Sequence, residues 1–128
     1  MTVYVFNNPR SETVDYLESR VGDYPPGTVI DTSVPTSLTA PHVQVAWDGS
    51  PGGVQQVETA AIRVTAWTPK GKETQAAAVA SLAHKHLLEM ATATIWRTTP
   101  GAGRLPGVDP DSGLPYCTVT VNADVRPV

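Results

Sequence analysis

The chain has 128 residues, 41% of them hydrophobic and 16% charged, with a formal net charge of -3. That length suits one domain with one hydrophobic core, so residues 1–128 are expected to fold as a single domain. The charged share lies well below the quarter usual for soluble domains, which leaves lightly charged surface for contact with other proteins, and the dispersed, slightly acidic charge argues against stable DNA binding through phosphate neutralisation.

The first ten residues lack the basic and apolar regions of a secretion signal, and no segment approaches the roughly 18 apolar residues of a membrane span. The protein is therefore expected to be made and used in the cytosol, away from membranes. Asn8 is placed to cap a helix whose first turn holds Pro9, with Val14, Leu17 and Val21 at helical spacing and Gly22 at its end. After the Tyr24-Pro25-Pro26-Gly27 turn, the β-branched residues 28–33 predict a strand that runs into Pro35.

Residues 42–47 alternate, with Val43, Val45 and Trp47 on one face and His42, Gln44 and Ala46 on the other. The turn-forming residues 48–53 and the long run 54–67 complete a predicted hairpin. In it Ala60, Ile62, Val64 and Ala66 face the core, and Arg63, Thr65 and Trp67 face away. Residues 71–90 predict an amphipathic helix, because Ala76, Val79, Ala80, Ala83, Leu87 and Met90 trace one stripe. Its alanines allow close approach to a sheet.

A short strand is expected over residues 92–97, followed by a Gly- and Pro-rich irregular stretch over residues 98–115. This stretch is read as an interaction loop ordered by a neighbouring subunit or partner. Leu105, Val108 and Leu114 serve as apolar anchors, Arg104 pairs with an acidic group of the partner, and Asp109 and Asp111 shape the turn. Residues 116–125 close the domain as a strand with Cys117, Val119, Val121, Ala123 and Val125 on its apolar face. Cys117 is the sole cysteine, so it makes no intrachain disulfide and reads as a small core side chain. The order of elements predicts an α+β fold, a mainly antiparallel sheet of four to five strands with two helices packed on one face.

Catalytic and metal-binding patterns are missing from this order. His84 and His86 lie about 200° apart around a helix and do not converge on one ion, and His42 is isolated. Asp109-Pro110-Asp111-Ser112-Gly113 resembles the start of a calcium loop, but its twelfth position is Thr120 where a bidentate Glu is required. Pro69-Lys70-Gly71-Lys72 is too short for a phosphate loop, and no nucleophile elbow is present. No cofactor, metal or enzymatic activity is expected. Trp47, Trp67 and Trp96 lack interleaved basic residues, which favours sheet packing or, for Trp67, a subunit interface over stacking on nucleic acid.

Three stretches stand out in order: Ala40-Pro41-His42-Val43-Gln44-Val45-Ala46-Trp47-Asp48-Gly49, then Arg63-Val64-Thr65-Ala66-Trp67 leading into the Ala-rich helix, then Gly103-Arg104-Leu105-Pro106 through Asp109-Pro110-Asp111-Ser112-Gly113-Leu114-Pro115. Together they resemble the tail terminator (tail completion) proteins of long-tailed phages that infect actinobacteria. The likeness spans about residues 39–127 and is one of order and texture. It implies an α+β subunit of a hexameric ring that caps the tail tube of the virion, stops its growth and meets the head connector at the tail-neck junction. The implied partners are further copies of the chain, the major tail tube protein and the connector, with DNA passing through the ring. Another neck component, a head-tail stopper or adaptor, fits the same features.

Overall fold

The computed structural model describes residues 5–49 and 58–127. Two helices, α1 (Pro9–Glu18) and α2 (Glu73–Leu88), pack on a six-stranded sheet of β1 (Val29–Asp31), β2 (His42–Trp47), β3 (Glu58–Trp67), β4 (Ile95–Pro100), β5 (Leu105–Val108) and β6 (Pro115–Val125). The sheet order is β1-β2-β3-β6, with β4 and β5 both paired along the far side of β6. Among the described residues only the β1–β2 pair is parallel. The fold is thus α+β as expected, with one strand more than anticipated.

The Asn8 side chain accepts from the amides of Arg10 and Ser11, and Pro9 loses no hydrogen bond in the first turn, so α1 starts where the sequence indicates. Its buried face differs from the expected stripe. Thr13 and Leu17 are buried, whereas Val14 is half-buried and Val21 lies beyond the helix in an exposed 3-10 turn (Val21–Asp23). Thr13 tolerates burial because its hydroxyl donates to the carbonyl of Pro9 one turn back.

Strand alternation positions the core. Val43, Val45, Ala60, Ile62, Val64 and Ala66 lie on one face, in register with Cys117, Val119, Val121 and Ala123 of β6. Onto that face α2 sets Ala76, Val79, Ala80, Ala83 and Leu87, and its alanines bring the helix axis close to the pleat. Residues 54–57 of the expected strand and residues 50–53 of its turn lie outside the described residues.

The stretch 98–115 corrects the reading of a long irregular loop. β4 runs on to Pro100, the amide of Gly101 and the carbonyl of Ala102 bond Thr120, and β5 resumes at Leu105. This is an edge strand interrupted by a bulge around residues 101–104. Its glycines and prolines give a loop-like composition, but an edge strand tolerates both, because its outward N–H groups need no partner within the sheet.

Two buried histidines anchor the segment between α1 and β2. His86 Nε2 lies 3.1 Å from Asp23 Oδ2 and its Nδ1 lies 2.9 Å from the Tyr24 hydroxyl. His42 Nε2 faces Asp31 Oδ1 at 2.7 Å and the Ser33 carbonyl at 3.0 Å; two acceptors require the proton on that nitrogen. Partial burial works to raise the Asp31 carboxyl, but the Ser33 amide and hydroxyl together with His42 outweigh it and hold the group below its ordinary value.

Replacing Leu87, which is fully buried, by Asp is expected to remove roughly 4 kcal/mol or more of stability, whereas Lys85→Asp on the exposed face should stay within about 1 kcal/mol. Thermal unfolding of the two variants checks this, and equal shifts would contradict the assigned helix faces. A carboxyl held low by folding contributes stability at neutral pH that is lost as pH falls through its folded-state pKa. Asp31→Asn is therefore expected to lower the melting temperature at neutral pH, with the gap closing below the carboxylate range. A gap that widens in acid would contradict this.

Candidate functional site

The face of the sheet opposite the helices carries the alternate residues of β2, β3 and β6. Strand register sets them in rows: His42–Trp67–Tyr116, Gln44–Thr65–Thr118 and Ala46–Arg63–Thr120. The rows are bonded across the strands. Trp67 Nε1 donates to Gln44 Oε1 at 3.0 Å, the hydroxyls of Thr65 and Thr118 meet at 3.1 Å, and the Trp67 and Tyr116 rings pack at 5.1 Å between centroids. Arg63 makes a forked pair with both carboxylate oxygens of Asp48, and Arg97 closes on Asp124 at 2.7 Å.

Of these, Gln44, Arg63, Thr65, Trp67, Tyr116 and Thr118 form the floor of an open groove of about 510 Å³. Val34 and Asp109 form parts of its wall. Leu105 pairs with Thr118 and so projects from the same face, where it is 56% exposed. Gly107 pairs with Tyr116, and a Cβ on Gly107 would lie 2.5 Å from Tyr116 Cζ, so glycine makes room for that ring.

The residues expected at an interface divide between several surroundings. Trp67 and Asp109 line the groove, with Leu105 beside it. Trp67 is only 8% exposed and serves as floor rather than as a protruding anchor. Val108 is exposed at the end of β5, Asp111 is exposed at the tip of the β5–β6 turn, and Arg104 donates to Ser81 Oγ on α2. Leu114 corrects the expectation of a docking anchor, because it is buried within the subunit, where it borders a second cavity with Leu38, Lys70 and Ser112.

Asp109 builds the β5–β6 turn. Its carboxylate accepts from the Ser112 hydroxyl and amide, its carbonyl accepts from Gly113, and Gly113 takes the positive φ that the turn requires. The same hydrogen bonds, the Ser112 hydroxyl first, hold the carboxyl below its ordinary value, so it is ionised at neutral pH. Gln44, Tyr116 and Val34 were not singled out from the sequence. Alternation identifies the polar face of β6, but only the register brings Tyr116 against Trp67.

Chemically the face offers an aromatic pair, hydroxyls, an amide and a carboxylate on rigid strands, a set suited to binding another surface. Among the described residues no group of three or more His, Cys, Asp and Glu side chains is arranged to hold a metal ion. His86 is occupied by Asp23 and Tyr24 and His42 by Asp31, and His84 is half-buried apart from both pairs. In comparison with known proteins, no family model and no curated protein matches the chain.

Gly107→Ala is expected to push the Tyr116 ring off the groove floor, lowering stability by about 1–3 kcal/mol and altering tryptophan fluorescence through Trp67. Thermal unfolding and emission spectra check this, and a variant matching the parent in both would contradict the close approach.

Proposed function

We propose that the chain is a structural subunit of a long-tailed phage particle, a tail terminator that assembles as a hexameric ring on the finished tail tube. The observation that carries this reading is a convergence. The three stretches that resemble the terminator family lie far apart in the chain, yet Gln44 from the first, Thr65 and Trp67 from the second and Asp109 from the third line one groove on the open sheet face. A likeness confined to core packing would not gather on an uncovered surface.

The reading gives the subunit no catalytic task. Its helices and core make a rigid plate, and its lightly charged open face and edge contact further copies, the major tail tube protein and the head connector. DNA would pass through the ring without sequence-specific contact. The ring would assemble in the host cytoplasm and remain in the virion at the tail-neck junction.

The test is negative-stain imaging of particles assembled without this chain. Tails of uncontrolled length are the expected result. Tails of normal length beside heads that leak DNA would contradict it and indicate a head-tail stopper or adaptor instead.

A further inference from the structure

The second cavity, about 400 Å³, is walled by residues 36–38 of the β1–β2 connection, by Pro69 and Lys70 after β3, and by the end of the β5–β6 turn. Its cation is Lys70. The turn over residues 69–72, closed by the Lys72 amide on the Pro69 carbonyl, fixes the backbone of that residue. The Lys70 stem then lies across Gly113, where a Cβ would stand only 3.0 Å from Lys70 Cε. Glycine at that position lets the lysine cross the β5–β6 turn.

Lys70 differs from the arginines of the sheet. Arg63 is taken by Asp48 and Arg97 by Asp124, whereas no carboxylate of the described residues lies within ion-pair distance of Lys70. The Ser112 hydroxyl is committed to Asp109 and offers the cavity no donor. Thr36 and Ser37 make no side-chain hydrogen bond among the described residues, so their hydroxyls remain available to a ligand. The remaining lining is apolar: Leu38 and Pro69 are half-buried, and Leu114 is buried.

An ammonium and two free hydroxyls call for a ligand that brings negative charge and accepts hydrogen bonds. The apolar wall calls for an apolar group beside that charge. An inorganic anion meets only the first demand, while the last residue of a polypeptide meets both, since its carboxylate and its side chain share one Cα. The cavity volume suits a ligand of that size. We propose that this cavity captures the C-terminal carboxylate of a partner polypeptide whose last side chain is apolar, with the carboxylate on Lys70, Thr36 and Ser37 and the side chain against Leu38, Pro69 and Leu114. The mode is end-group capture rather than strand addition. The site stands whether or not the chain forms a ring, so its test and the imaging of tails fail separately.

The probes are acetyl-Ala-Ala-Leu with a free C-terminal carboxylate, the same peptide as its C-terminal amide, and acetyl-glutamic acid amide, which carries its carboxylate on a side chain. Each is titrated into the full chain while backbone amide NMR shifts are followed. The free acid should bind at roughly millimolar concentration, with shifts centred on residues 36–38, 70 and 112–114, and the amide should bind about tenfold more weakly. Lys70 is exposed, so Lys70→Gln should keep the parent melting temperature while weakening the free acid about tenfold. Equal binding of acid and amide, undiminished binding by Lys70→Gln, or no shifts at these residues would overturn the site. Acetyl-glutamic acid amide binding as tightly as the free acid would overturn the assignment to a chain terminus.

Discussion

Strand β6 ties the molecule together. It pairs with β3 in an unbroken antiparallel register from Tyr116 to Val125 and carries both β4 and β5 on its other side. Because successive side chains point to opposite faces, the same ten residues seal the core with Cys117, Val119, Val121, Ala123 and Val125 and present Tyr116, Thr118, Thr120, Asn122 and Asp124 to the open face. A slip of one residue would exchange the two sets, burying hydroxyls and a carboxylate under α2. The core therefore fixes the arrangement of the open face, and groove geometry follows from core packing.

An open sheet face with free edges invites uncontrolled association, and this chain limits it at both sides. β1 is only three residues long. The far edge carries Pro100 and Pro106, arginines at positions 97 and 104, the interruption around residues 101–104 and a register shift between Ile95 and Arg97 that turns out the exposed Trp96. These features suppress backbone pairing while leaving side chains exposed, which suits a subunit that must associate in one defined way.

Much of the fold was legible because it is periodic. The stripe on α2 from Ala76 to Leu87, the alternation of β6 and the Asn8 cap match the sequence pattern, since each depends on local spacing that burial then enforces, and Met90 is buried although the helix ends at Leu88. The misreadings fall where tertiary contact overrides local pattern. Val14 does pack against the core, at half burial, but Val21 lies beyond the end of α1, and Thr13 joins Leu17 in the buried face because its hydroxyl is satisfied by Pro9. The edge strand was hidden by its own glycines and prolines. In the site, Trp67 and Asp109 were visible as candidates, whereas the Trp67–Tyr116 pair and the Arg63–Asp48 fork depend on cross-strand register that no single segment carries.

A covered face for stability and an open face for association form the central claim, and hydrogen exchange compared between the free and the assembled protein addresses it most directly. The account predicts that assembly slows exchange in β5 and in the outer part of β2 beside Val34, while the amides of α2, whose outward side carries Glu73 and Lys85, keep their free-state rates. Slowed exchange along α2 with β5 unchanged would contradict it.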